Sequence, residues 1–165
     1  MIARMAISAT EPGRIVSADA EHSVATYGHV LVLCWRGGVS VASLQAVRKA
    51  HFELLQKYPD GIGCLTISEI TRVGDLPVTE ATQLIRATYK NVRWSACVVH
   101  GEGFMASASR AALTSLLTLS GQVALVRAFR ELPAALAWQE AHDSGLGIAS
   151  LQLDRVAREA LAAMR

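Results

Sequence analysis

Short apolar runs alternate with amphipathic stretches over most of the chain, and this alternation limits the possible folds more than any other feature. Residues 30–35 are all apolar, which is typical of a strand covered by helices on both faces of a sheet. Between such runs, apolar side chains recur every three or four residues, the spacing of a helix with one buried face. Strands that alternate with helices of about a dozen residues predict βαβ crossovers and therefore a largely parallel sheet.

The periodicity predicts an α/β fold with a mixed, mostly parallel sheet of five strands, the first of them antiparallel. Strands are expected at residues 15–26, 30–35, 62–70, 92–99 and 123–129. Helices are expected from about residue 41 to 58, from 77 to 89, over 104–119 and over 131–142. Ser40 precedes the first helix and is a typical N-cap, while Pro77 suits the first turn of the second.

The 165 residues suit one domain, and 52% hydrophobic against 18% charged residues exclude a disordered chain. We expect an N-terminal extension at residues 1–14, an α/β domain at 15–143 and a glycine-hinged helix at 144–165. No apolar run approaches the ~18 residues that a membrane-spanning helix requires. The first residues do not match a signal peptide. A cytoplasmic protein that crosses no membrane is therefore expected.

The C-terminal helix should carry one apolar stripe, because its apolar side chains fall at spacings of three and four. The stripe consists of Leu153, Val156, Ala157, Ala160, Leu161 and Met164. It must be buried either on the sheet of its own chain or on a second subunit. Since its small alanines permit close helix–helix approach, we expect a homodimer to which residues 148–165 contribute.

Catalytic and metal-binding motifs are incomplete in this sequence. The three cysteines, Cys34, Cys64 and Cys97, lie in apolar runs at spacings that match neither a metal knuckle nor a disulfide framework, so buried thiols are expected. The histidines form no HExxH pair, and no nucleophile elbow, complete GxGxxG fingerprint or Walker lysine occurs. The sequence therefore predicts a protein that is not an enzyme, with no catalytic residue, metal or cofactor.

Charge is distributed unevenly along the chain. The net charge of +2 does not favour a nucleic-acid partner, but residues 81–130 hold six basic side chains and one acidic one. Open parallel sheets bind ligands beyond the carboxyl ends of their strands. Five side chains expected at those ends form a candidate site for an anion or a partner: Arg36, Arg72, His100, Glu102 and Arg130. The alternative is that these side chains are simply solvated.

Residues 126–138, with the sequence Val-Arg-Ala-Phe-Arg-Glu-Leu-Pro-Ala-Ala-Leu-Ala-Trp, end a predicted strand with Phe129 and place Trp138 on the following helix. Together with the order of elements, this stretch resembles the SpoIIAA-like branch of the STAS (sulfate transporter and anti-sigma-factor antagonist) superfamily. The resemblance covers about residues 15–142. It implies the STAS-like fold and a small, non-enzymatic regulatory or binding module.

In anti-sigma antagonists a serine is phosphorylated in an Asp-Ser-Ser-Gly-like turn between the third strand and its helix. The matching stretch here, residues 74–79, retains Asp75 but lacks the serine pair and the glycine. Thr79 is the only nearby hydroxyl and is the phospho-acceptor position that the resemblance implies.

The leading hypothesis is a non-catalytic regulatory or protein-interaction module of bacterial signalling, with a protein partner. A second hypothesis is a small anionic-ligand carrier or enzyme that uses the crevice at the strand ends. A third is a scaffold that acts only through oligomerisation.

Overall fold

The computed structural model of the protein describes residues 12–37, 39–69, 78–88, 91–101, 107, 125–143 and 148–165. Within them lie six strands: β1 (Arg14–Ala18), β2 (His22–Tyr27), β3 (Val30–Arg36), β4 (Ile62–Glu69), β5 (Val92–Val99) and β6 (Leu125–Phe129). Four helices accompany them: α1 (Val41–Lys57), α2 (Val78–Thr88), α3 (Leu132–His142) and α4 (Ser150–Ala163). Of the predicted helix over residues 104–119, only Ser107 is described, and it is helical. The glycine joint at residues 144–147 lies outside the described residues.

The strands form one mixed sheet in the order β1-β2-β3-β4-β5-β6. The first three strands pair antiparallel, and β3 to β6 pair parallel. The α/β class and the mixed sheet are confirmed, but the prediction of five strands is wrong. Residues 15–26 are two strands rather than one, because the Asp19 carboxylate accepts the Glu21 and His22 amides, each at 2.8 Å, and turns the chain.

Helices cover both faces of the sheet. Side chains from α1 and α2 join one buried cluster with alternate residues of the strands, such as Leu31 and Leu33. The intervening residues, such as Val32 and Cys34, belong to a second cluster with α3 and α4. Since successive strand residues point to opposite faces, an all-apolar β3 serves both clusters at once.

The start of α1 is fixed by a reciprocal capping box. Ser40 Oγ accepts the Ser43 amide at 3.1 Å, and Ser43 Oγ accepts the Ser40 amide at 3.0 Å. The predicted N-cap is therefore confirmed.

The apolar stripe of α4 packs on the sheet of its own chain. Leu153, Ala157 and Ala160 have no exposed surface, and Ser23 Oγ on β2 donates to the Ala160 carbonyl at 2.7 Å. The stripe is already buried against β2 and β3, so its burial requires no second subunit. The expected intersubunit docking of residues 148–165 thus gains no support. No helix in the described part of the chain is long and apolar enough to cross a membrane.

Candidate functional site

The carboxyl-end edge, defined as the ends of β3 to β6 where the parallel strands finish, holds three of the five side chains expected there. Arg36 ends β3, His100 follows β5 and Arg130 follows β6. Arg72 and Glu102 lie outside the described residues. Adjacent strands are separated by about 4.8 Å, so Arg36 and Arg130, three strands apart, have backbones roughly 14 Å apart.

Arg36 is engaged by its own chain. Its Nε donates to Glu69 Oε2 at 2.9 Å, and its Nη1 donates to the Met164 carbonyl just beyond α4 at 3.0 Å. Sequence reasoning missed Glu69, although the parallel register places it directly opposite Arg36. The guanidinium thus has a carboxylate partner and fastens the end of α4 to the sheet.

His100 and Arg130 differ in exposure. His100 is half-buried and its amide donates to the Ser68 carbonyl at 3.0 Å, whereas Arg130 is exposed. Thr79 is exposed in the first turn of α2. A phosphate at that position would lie near the positive end of the helix dipole.

The opposite edge of the parallel strands holds a buried polar cluster that sequence reasoning missed. His29 Nε2 lies 2.9 Å from Asp143 Oδ1, and Trp94 Nε1 donates to the same oxygen at 3.0 Å. Gln139 Nε2 donates to Asp143 Oδ2 at 3.2 Å. The side chain of His29 has no exposed surface, and that of Asp143 is 3% exposed. We call these four residues the Asp143 cluster.

Three separate elements bring the Asp143 cluster together. His29 ends the β2–β3 turn, where Gly28 adopts a φ of +54° that glycine tolerates best. Asp143 is the residue at which α3 ends, one turn beyond Gln139. No sequence spacing signals the cluster, since His29 and Asp143 are 114 residues apart.

Trp94 enters the cluster because β4 carries a glycine beside it. A Cβ atom on Gly63 would lie 2.2 Å from the indole ring. The ring therefore lies against the backbone of β4, with its N–H directed to Asp143. The Gly63 amide also donates to the His29 carbonyl at 3.0 Å, which ties the turn to the same point.

The charge of Asp143 is stabilised by its neighbours. Burial by itself raises the pKa of the carboxyl, but the hydrogen bond and charge of His29 and the Trp94 N–H hold that pKa below its ordinary value. An ionised carboxylate only accepts hydrogen bonds, so His29 Nε2 carries the hydrogen between them. An aspartate that orients a histidine is a frequent arrangement in general-base catalysis. Here both side chains are closed off from solvent, which gives the pair a structural role.

The three cysteines and His51 are also buried. Burial raises the pKa of Cys34 and Cys64 to about 12 and that of Cys97 to about 11, so the thiols stay protonated at neutral pH. Burial lowers the pKa of His51 to about 4, although a hydrogen bond with the Thr88 backbone opposes the shift. Among the residues described, no three His, Cys, Asp or Glu side chains are grouped as metal ligands.

A groove of about 710 Å³ lies between β1 and α1, and we call it the β1–α1 groove. The residues that line it are Pro12, Gly13, Arg14, Ile15, Val16, Thr26, Gly28, Ala50, Glu53, Leu54 and Lys57. It contains no cysteine, histidine or serine among its described lining residues. The groove can therefore hold a ligand but offers none of these nucleophiles to it.

Comparison with known proteins identifies no family for this chain. No family model matches it, and the curated proteins contain no significant match.

Proposed function

We propose that the protein is a non-catalytic regulatory or protein-interaction module. The observation that carries this proposal is a division of roles in the described residues. The three thiols and the Asp143–His29 pair are buried, whereas Val41 and Phe52 on α1 are exposed apolar side chains. Catalysis requires a reactive group that a substrate can reach, while recognition of a protein requires apolar surface that water does not favour.

The outer side of α1 is the surface proposed to meet the partner. Val41 is 43% exposed and Phe52 is 42% exposed on this helix. The Arg48 guanidinium lies 5.6 Å from the centre of the Phe52 ring. Aromatic and arginine side chains are enriched in the centres of protein interfaces, which makes this pair a suitable anchor.

The STAS-like character of the module remains part of the proposal. It is supported by the order of strands and helices and by residues 126–138, whose Phe129 and Trp138 rings lie 5.6 Å apart. This contact is ordinary side-chain packing, which does not depend on membership of the STAS superfamily. Within the same proposal, Thr79 is the residue whose phosphorylation would alter partner binding.

The alternative function, transport or conversion of a small anion at the carboxyl-end edge, has less support. Glu69 and the Met164 carbonyl already bind Arg36. A thermal-shift screen with phosphate, sulfate and nucleotides tests it, because a ligand at a hundred times its dissociation constant adds about 2.7 kcal/mol of stability.

The test of the interaction proposal compares two exposed apolar residues. Full-length wild-type protein, Phe52→Ser and Leu151→Ser are used to capture proteins from a lysate of the source cells, and the captured proteins are quantified by mass spectrometry. Leu151 on α4 is 76% exposed and is the matched control. We expect a protein that wild type and Leu151→Ser retain and Phe52→Ser loses. If no captured protein distinguishes the two variants, α1 is not the interaction surface and the proposal fails.

A further inference from the structure

We propose that the β1–α1 groove is a binding site for a small amphipathic anion, whose apolar body lies on the groove floor and whose acidic group meets Arg14. This proposal is independent of the protein-interaction function, because that function uses the outer side of α1.

The groove is lined in part by apolar side chains from α1 and β1. Ala50 and Leu54 come from the buried side of α1 and are 1% and 6% exposed, while Ile15 contributes from β1. Residues 50, 53, 54 and 57 follow one another at helical spacing, so a single stripe of α1 forms one wall. Ile15 on β1 is 38% exposed and offers apolar surface to the groove. An apolar ligand body that lies against it would release water without displacing a packed side chain.

The charges along the groove favour an anion. Arg14 and Lys57 line it together with one acidic residue, Glu53. The Glu53 carboxylate is already offset by Lys49, whose Nζ lies 3.9 Å from Oε1. The Lys57 ammonium lies 5.5 Å from the Tyr58 ring, but Arg14 has no ion pair with another described residue. Arg14 is therefore the cation that an incoming acidic group would neutralise.

The dimensions suit a small molecule. The groove volume of 710 Å³ falls within the range of about 300–1,000 Å³ that ligand sites commonly occupy. A carboxylate or sulfonate attached to a ring system or a short alkyl chain combines the required charge with an apolar body.

The experiment titrates the full-length protein with 1-anilinonaphthalene-8-sulfonate, which joins a fluorescent apolar ring system to one sulfonate. We expect saturable binding with one site per chain. The Arg14→Glu substitution should weaken the affinity for the dye about tenfold or more, because the new carboxylate repels the sulfonate that Arg14 attracts. Arg86→Glu is the matched control, because Arg86 is an exposed cation on α2 outside the groove, and it should leave the affinity unchanged.

A second variant tests the same site by reducing the volume of the groove and leaves its charges unchanged. Thr26→Phe places a ring in the groove from β2 and should also reduce binding, while circular dichroism and the Tm verify that the variant is folded. Decanoate should displace the dye competitively if a fatty-acid-like carboxylate fits the same site. Binding that does not saturate, or that Arg14→Glu and Arg86→Glu weaken equally, overturns the proposal. So does binding that neither groove variant changes.

Discussion

The two edges of the parallel strands use charged side chains in opposite ways. At the carboxyl-end edge, Arg36 and Glu69 form an ion pair with side chains 44% and 37% exposed. At the other edge, His29 and Asp143 form a pair that is almost completely buried, with Trp94 and Gln139 as further donors. Exposed pairs are screened by water and contribute little, whereas a buried pair that loses one partner leaves an uncompensated charge or polar group.

This difference shows which edge holds the fold together. Helix α3 begins next to the end of β6 and is followed by its C-cap Asp143, so it spans the sheet from one edge to the other. Asp143 joins the β2–β3 turn and β5 at one buried point. The Asp143 cluster is thus a structural junction, while the exposed residues at the other edge can vary without loss of the core.

The largest expected loss of stability comes from disrupting the Asp143 cluster. Asp143→Ala leaves the His29 ring, the Trp94 N–H and the Gln139 amide without their acceptor, and should lower the free energy of unfolding by about 3–5 kcal/mol. Glu69→Ala, the matched change at the carboxyl-end edge, should cost about 1 kcal/mol or less. Urea denaturation at pH 7 measures both. Equal losses for the two variants would contradict the distinction between the edges.

The pH dependence of the same pair has a defined sign. The pKa of Asp143 is lower in the folded chain than its ordinary value of about 3.9, so the stabilisation is present above that pH. It is lost as the pH falls through the lower folded pKa. Compared with wild type, Asp143→Ala should therefore lose less of its remaining stability on acidification below pH 4.

A second change tests how closely Trp94 must approach β4. Gly63→Ala forces the indole to move, because a Cβ would lie 2.2 Å from the ring, and should cost about 1–3 kcal/mol. In a Trp94→Leu background the same substitution should cost less, since the opposing ring is absent. Denaturation of the four members of this double-mutant cycle measures the coupling. A penalty that is equal in both backgrounds would show that the contact is not its cause.

A further prediction concerns His51, a buried histidine on α1 that lies outside both edges. Its folded pKa of about 4 is below its ordinary value, so protonation favours the unfolded chain. Wild type should lose about 1–2 kcal/mol between pH 7 and pH 5 through this residue. His51→Gln cannot titrate, and its unfolding free energy should fall correspondingly less over that interval in urea denaturation. Parallel pH profiles for wild type and variant would refute the assignment.

The smallest effect is expected at the carboxyl-end edge itself. Arg36→Ala removes one exposed ion pair and the hydrogen bond to the Met164 carbonyl, and should cost about 1 kcal/mol or less. Arg130→Ala is the control without such contacts in the described residues and should leave the Tm unchanged. If Arg36→Ala destabilises the protein as much as Asp143→Ala does, the carboxyl-end edge contributes as much to the stability of the fold as the buried edge does.

Local patterns in the sequence predicted most of the described elements. The Ser40 cap, the stripe of α1 and the apolar run of β3 each depend on neighbouring residues, so their signals lie within one segment. The predicted number of strands was wrong at residues 15–26, because the Asp19 carboxylate binds two amides and divides a stretch that otherwise resembles one strand.

The candidate sites depended on contacts that no local pattern contains. The sequence by itself predicted that Arg36 would lie at the carboxyl end of an apolar strand, but the pairing of β3 with β4 decided that Glu69 would neutralise it. It determined that α4 would carry an apolar stripe, and only the tertiary structure decided that the stripe covers its own sheet. The Asp143 cluster is the clearest case, because burial and hydrogen bonding depend on distance in space, and residues 114 positions apart become neighbours only when the chain has folded.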